Sequence, residues 1–452
     1  MTNAESYVNR LTHDLFPDRL ARLVEEQSVS SVPEFNSAVR SCAEVARDTL
    51  RDIGATARLV ETGGNPLVVG EIVNKEDAHT VAIYNHYDVQ PCNISKWKTD
   101  PWKLDIRKGR YYGRGTSDNK GPMLTVINAV QLACHEDVPL NYLFIYEGEE
   151  ESGASNFTVG AQKVAKTAKP DSVLVSDITW LDEESPAIVY GTRGNLYMHF
   201  NLKIAESDVH SGLAGGPARN AIAELMSVAE KCHKPETGEI LIPGSYADVA
   251  ELSEKEMRYW LQSPFDVRTF AEELGINKLR FYDKKRVMKS IWACPTFEVH
   301  GCVGGHMEKN GQKTIIPGEA QLLVSMRLVP NQDPDRTFDL VKQFVEEINS
   351  DVEVRKVSTS RPYLGRIDSP PVEAADKAFQ DAFHLSVSRV RCGGTIGAIM
   401  HMYDAFGQPP IVVTGLSLPT DNIHGPNEHF EQRQVEGGTK AFFGYFKAIS
   451  EL

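Results

Sequence analysis

In the first third of the chain, apolar residues gather in short unbroken runs, each closing on a charged or imidazole side chain. "HTVAIYNHYDV" carries Val81, Ala82, Ile83 and Tyr84 toward His86; "NYLFIYEGEEESG" carries Leu143 to Tyr146 into four glutamates; "DSVLVSD" carries Val173, Leu174 and Val175 into Asp177. Apolar runs this short, bounded by turn or charge signals, are the pattern of strands buried on both faces of an α/β sheet. Between the first two, Met123, Val126, Ile127, Val130 and Cys134 share one stripe at helical spacing, which predicts a crossover helix over 119–135. Two more helices are expected, around Leu20 to Glu26 and from Ala38 to Ile53.

The pattern changes near residue 194. "GNLYMHFNLKIA" (194–205) and "AQLLVSMRLVP" (320–330) alternate apolar and polar positions, as antiparallel strands with one covered face do, and the first of them is expected to leave an unpaired edge. The stretch 233–290 between them is charged and helical in pattern. A helix from Val372 to Phe383, then "RCGGTIGAIMHMYDAF" and the strand "PPIVVTG", restore the α/β pattern. The expected fold class is therefore α/β: a mixed-sheet domain with helices on both faces, formed by residues 1–192 and 381–452, interrupted by an inserted α+β domain over 193–380.

Composition narrows the function. The chain of 452 residues is too long for one ordinary core, and 41% apolar against 24% charged residues excludes a disordered protein. With 48 basic against 62 acidic residues the formal charge is −14, and no Lys/Arg-rich run stands against it, so nucleic acid and membrane surfaces are not expected as partners. No basic segment followed by an apolar one opens the chain, and no 18-residue apolar stretch occurs, so neither a signal peptide nor a membrane span is expected. Seven scattered cysteines without a C-x-x-C fit a reducing cytoplasm and no thiol-bound metal.

The glutamate cluster "EGEEESG" raises a chemical question. At about 4 Å and an effective dielectric near 20, two carboxylates repel by roughly 4 kcal/mol. A solvated loop would screen that repulsion; a bound cation would cancel it but needs further ligands. Open α/β sheets bind ligands outside the carboxyl ends of their strands, where His86, the glutamates and Asp177 would converge. Asp118 in the Gly-rich loop "YYGRGTSDNKGPM" and His424 in "DNIHGPNEHF", past the strand Ile411 to Thr414, join them. Taken singly, each has an ordinary alternative: a core histidine, a helix N-cap, a turn aspartate, a loop histidine. Together, two imidazoles and three or more carboxylates without a thiolate suit Zn or Mn.

"NHYDVQP", "YGRGTSDNKGP", "EGEEESG", "SDITW", "DVHSGLAGGP", "KTIIP", "SMRLVP", "GGTIG" and "HGPNE" occur in the order and approximate spacing of the M20 metallopeptidase family. The chain most resembles that family's cytosolic dipeptidase and carnosinase branch, over nearly its whole length. The resemblance implies two divalent ions per chain, with His86 and Asp177 on the first, Glu151 and His424 on the second, and Asp118 bridging both, followed by a cis peptide to Asn119. It implies that Asp88 orients the His86 imidazole, that Glu150 is the general base, and that His210, reaching over from the second subunit of a homodimer, supplies an oxyanion donor. Arg327 would clamp a substrate carboxylate, with Thr314 and Thr395 beside it, and the inserted domain would serve as lid and dimerisation domain. Within "EESG", neighbouring side chains of extended backbone would point to opposite sides, separating the roles of Glu150 and Glu151; Glu147 and Glu149 are expected to be structural or solvated.

One departure stands beside the substrate residues: the family's G-G-[ST]-I-P ends here in Gly397, and Gly425 follows the last ligand. The implied activity is hydrolysis of dipeptides with a free C-terminal carboxylate. A deacylase or aminohydrolase acting on N-acyl amino acids or another C–N bond uses the same chemistry and is the alternative within the class. A metal-free scaffold on the same fold is the alternative outside it.

Overall fold

The computed structural model describes residues 3–307 and 311–452. The buried runs become parallel neighbours: strands Asn141–Glu147, Thr80–His86, Ser172–Ser176 and Ile411–Thr414 lie side by side in that order within a nine-stranded mixed sheet. Thr56–Val60 and Leu67–Ile72 extend it on one side. Ala187–Thr192, Ser388–Cys392 and Tyr363–Leu364 extend it on the other. Alternate residues feed two cores. Val81, Ile83, Phe144, Leu174 and Val412 pack beneath helices that include Asn36–Asp52, Lys120–His135, Pro370–Phe383 and Gln432–Ile449. Ala82, Tyr84, Ile145, Val175 and Val413 pack on the opposite side, against helices Phe157–Val164 and Gly397–Ala405. Because both faces are covered, these strands read as unbroken apolar runs rather than alternating ones.

The crossover helix is more deeply embedded than its single stripe suggested. Every residue from Lys120 to Val130 is buried, because helices Gln432–Ile449 and Phe16–Glu25 press on it from sides the sheet does not reach. The charged stretch 233–290 yields helices Glu254–Gln262 and Val267–Glu273 and most of Lys284–Trp292, and Trp260, Met288 and Trp292 pack into the second core of the large sheet.

The inserted sheet has four antiparallel strands in the order Thr296–Gly304, Glu319–Leu328, Gly194–Lys203, Glu353–Ser360. Leu196, Met198 and Phe200 build its own core with Leu225 and Val341 from two helices on one face. This corrects an expectation: Gly194–Lys203 has no unpaired edge but lies inside the sheet, paired on both sides, because alternation reports which face is covered and not which neighbours are present. The edges belong to Thr296–Gly304 and Glu353–Ser360. Strand Tyr363–Leu364 and helix Pro370–Phe383, assigned to the insert on sequence, pair with and pack on the large sheet, so the chain rejoins it ahead of residue 381.

Two of the chain's passages between the sheets touch. Arg193 alone separates Thr192 from Gly194 on the way out, and the return runs from Ser360 to Tyr363, with Thr192 opposite Tyr363 and Asn195 opposite Ser360. Gly194 has no alternative here, since a Cβ would stand 2.4 Å from the Ser360 carbonyl oxygen and 2.7 Å from the Pro362 nitrogen.

Candidate metal centre

The parallel strands end on one rim, and the expected ligands gather there. His86 closes its strand, Asp177 follows Ser172–Ser176 directly, and Asp118 sits at the entry to the crossover helix, followed by a cis peptide to Asn119. Two groups form, His86–Asp118–Asp177 and Asp118–Glu151–His424, each with ligand atoms within 4.8 Å of one another. Asp118 is common to both. Its Oδ1 is 2.9 Å from His86 Nε2, and its Oδ2 is 3.0 Å from His424 Nε2. His86 Nε2 is also 3.5 Å from Asp177 Oδ1, and His424 Nε2 is 3.3 Å from Glu151 Oε1. In the first group His86 is buried and the two aspartates nearly so, whereas the second opens to solvent through His424, whose side chain is 53% exposed.

The glutamate turn differs from the expected extended backbone. Glu150, Glu151 and Ser152 form a 3₁₀ turn after the strand has ended at Glu147, so the two neighbouring carboxylates diverge by helical rotation. Asp88 holds this turn: Glu150 N–H donates to its Oδ1 at 3.3 Å and Glu151 N–H to its Oδ2 at 3.1 Å, while Oδ1 also lies 3.4 Å from His86 Nδ1. The Asp88 backbone carbonyl is closer still to His86 Nδ1, at 3.0 Å, so one residue fixes an imidazole of the first group and the turn that carries the second. Ser30 donates to Asp88 at 2.6 Å, Gln90 to the Glu151 carboxylate at 2.8 Å, and Asn119 to Asp177 Oδ1 at 2.8 Å. These three helpers were not read from sequence; adjacency to motif residues marks Gln90 and Asn119, but Ser30 comes from a distant loop with no local signal.

Glu147 and Glu149 are structural rather than solvated. Glu147 is buried and accepts from Tyr84 at 2.6 Å, and burial pushes its carboxyl up to about 8. Glu149 accepts from the backbone N–H of Asn65 and Asn156, closing the loop.

The donor set fits divalent cations. Burial works against a charged His86, but Asp177, Asp118 and Asp88 outweigh it and raise its value well above the ordinary imidazole range. Hydrogen bonds to Asp118 and Glu151 lift His424 to about 10. Burial lifts Asp177 to about 6 and Glu150 well above the carboxylate range, with neighbouring carboxylates adding to both. Glu151 Oε1 is buried, and His424, 3.3 Å away, is the group that faces it. Imidazoles that seek protons and carboxylates that resist losing them mark a site where positive charge is wanted.

Arg327 lies on strand Glu319–Leu328, and its Nη1 donates to Thr395 Oγ1 at 3.0 Å. Thr395 lines a cavity of about 330 Å³ shared with Asp118, Asp177, Cys392, Trp292 and Ile423. This joins the expected carboxylate clamp to the rim. Arg193, missed on sequence, donates Nε to the Gly393 carbonyl at 2.8 Å and accepts from Thr395 through its own, so it shapes the same loop. Gly397 begins the next helix where the family carries proline, and a Cβ there would meet Ala154 Cβ at 3.3 Å, so this loop rests on the end of the glutamate turn. His210 and Thr314 are not brought to the rim. His210 is exposed, accepts only from Gly212 N–H at 3.0 Å, and sits beside Thr314, whose carbonyl accepts from Ser211.

Residues 82–448 match the model of peptidase family M20/M25/M40. The chain is 31% identical over 451 residues to the Beta-Ala-His dipeptidase of Homo sapiens, covering 95% of this chain and 88% of that protein. It is 30% identical over 463 residues to the Cys-Gly metallodipeptidase dug1 of Schizosaccharomyces pombe, covering 97% and 96%. Among solved structures, the M20 family metallo-carboxypeptidase Sso-CP2 of Sulfolobus solfataricus superposes with a TM-score of 0.90 at 29% identity, covering 97% of this chain and all of that one. No helix among the described residues is long and apolar enough to cross a membrane.

Proposed function

The chain belongs to peptidase family M20/M25/M40, and we infer from the geometry of its rim how it performs the metal-dependent hydrolysis of dipeptides. The observation that carries this reading is the shared Asp118, which offers one oxygen to each of two ligand groups. His86, Asp118 and Asp177 would hold one divalent ion and Asp118, Glu151 and His424 the other, with Zn or Mn suiting an all N/O donor set. Such a pair of ions supplies Lewis acidity toward the scissile carbonyl and a water acidic enough to ionise near neutral pH.

The chain's own residues do the rest. Glu150, on the turn pinned by Asp88, takes a proton from the attacking water and passes it to the leaving amine. Its raised affinity for protons, set by burial, suits that double duty. Asp88 keeps His86 in one orientation and tautomer. Arg327 and Thr395, bonded to each other beside the cavity that Thr395 lines, receive the substrate carboxylate in a charge-assisted contact that fixes the scissile bond over the rim. His210 and Thr314, exposed and remote from their own rim, serve the site of a second copy, which makes the working unit a homodimer with composite sites. Seven free cysteines support a cytoplasmic setting.

The experiment is hydrolysis of dipeptides with a free C-terminus, of their C-terminal amides, and of N-acyl amino acids, before and after chelation and reloading with Zn or Mn. Free-acid dipeptides are expected to be cleaved best, with activity lost on chelation and restored by metal. Preferential cleavage of N-acyl amino acids, or full activity in metal-stripped protein, overturns the reading.

A further inference from the structure

We propose that the buried Arg114–Glu428 ion pair is the positioning element of the metal centre, holding the loops of Asp118 and His424 at the spacing that lets one carboxylate serve both ligand groups. The inference rests on the two-ion reading above and adds residues that touch neither ion nor substrate.

Glu428 lies four residues beyond His424 and is fully buried. Its Oε2 accepts from Arg114 Nη1 at 2.7 Å and from Gly115 N–H at 3.0 Å, and its Oε1 from Ser117 N–H at 2.9 Å and Asp118 N–H at 3.1 Å. Both oxygens are therefore spent on the loop that ends in Asp118, including that residue's own amide. The Glu428 carbonyl also accepts from Gly113 N–H at 3.1 Å. Arg114, equally buried, spreads the hold further. Its Nη2 reaches the carbonyl of Gly425, the residue after His424, at 3.3 Å, and that of Pro91, at the end of the Asp88 loop, at 3.5 Å.

Three loops that carry expected ligands or their orienting groups thus meet on one ion pair. A buried pair is a poor source of stability relative to apolar packing, since desolvation offsets its attraction. Four donors on one carboxylate instead fix a position. Groups behind metal ligands that set their orientation change metal affinity by about 10- to 100-fold when removed.

The test is metal titration of chelated, refilled protein, read as stoichiometry and affinity and accompanied by thermal melts, for wild type, Glu428→Gln, Glu428→Asp and Arg114→Lys. Removing one partner strands the other, so the two conservative variants keep both charges while shortening the carboxylate's reach or losing the guanidinium fork. Arg114→Lys and Glu428→Asp, folded at the titration temperature, are expected to bind divalent ions about 10-fold or more weakly, with KM for a dipeptide at saturating metal unchanged. Glu428→Gln, where it folds, is expected to be weaker still. Wild-type metal affinity in both conservative variants, whatever their melting temperatures, means that the pair is only structural and overturns the proposal. Failure of wild type to take up two ions overturns this proposal and the two-ion reading together.

Discussion

The rim of the large sheet and the loop pair around His210 are both assigned to one reaction, yet they are built in opposite ways. At the rim nearly every carboxylate has several partners from different loops, and Asp88 alone serves an imidazole and two backbone amides. At His210 the side chain is exposed and has a single local bond, to Gly212. A group that must hold an orientation is fixed from several sides; a group left this free in one chain is either idle or completed by another. In the proposed homodimer, the contrast separates what one chain assembles alone from what it lends.

The sharpest way to break that contrast is at Glu150. Glu150→Gln keeps the turn's bonds to Asp88, which run through the backbone, so metal content and KM are expected to stay while kcat falls by about 10²-fold or more. Steady-state kinetics beside metal analysis checks it, and lost metal would show that the turn serves binding rather than proton transfer. Next in size is subunit complementation. His210→Ala is expected to lose about 10²- to 10³-fold as a missing oxyanion donor. Mixing it with Glu150→Ala and allowing exchange should return about a quarter of wild-type sites, since half the dimers are mixed and each of those has one intact site. No recovery despite demonstrated exchange confines His210 to its own chain and removes the basis of the comparison.

The smallest effect on turnover is expected from a substitution that probes the cost of the crowded rim through stability. Asp421 accepts from Ser117 Oγ at 2.6 Å and Leu418 N–H at 2.8 Å through Oδ2, while Oδ1 is buried without a partner, 3.9 Å from the equally unpartnered Nε2 of His429. Burial lifts its folded value to about 7, above its unfolded one. Its contribution is therefore fully present below the unfolded value and is lost as pH rises through about 7. Asp421→Asn should stabilise the protein by up to about 4 kcal/mol at pH 8 and by nothing at pH 4, read from denaturant melts at the two pH values.

Much of the rim was legible because strand ends are written locally: an apolar run followed by His86 or Asp177 places both at one edge of a parallel sheet. The strand order was not, and neither were Glu428, Arg114 and Asp421, whose work is done by contacts between residues some 300 positions apart. The same limit explains the misplaced edge in the insert. Alternation in "LYMHFNLKIA" announces one covered face, but the strands on either side of it come from 319–328 and 353–360. The turn at Glu150 was misread because a two-residue spacing argument needs to know where the strand stops, and it stops at Glu147.

The paired passages at 192–195 and 360–363 leave a mechanical signature. Helices Glu254–Gln262 and Lys284–Trp292 tie the inserted stretch to the large sheet a second time, so the two sheets are cross-braced rather than joined at one point. Arg327 sits on the inserted sheet and Thr395 in the loop after Ser388–Cys392 of the large one, and their 3.0 Å bond spans that junction. In the function proposed above, the brace acts as a ruler: it sets the distance from the substrate's carboxylate to the rim.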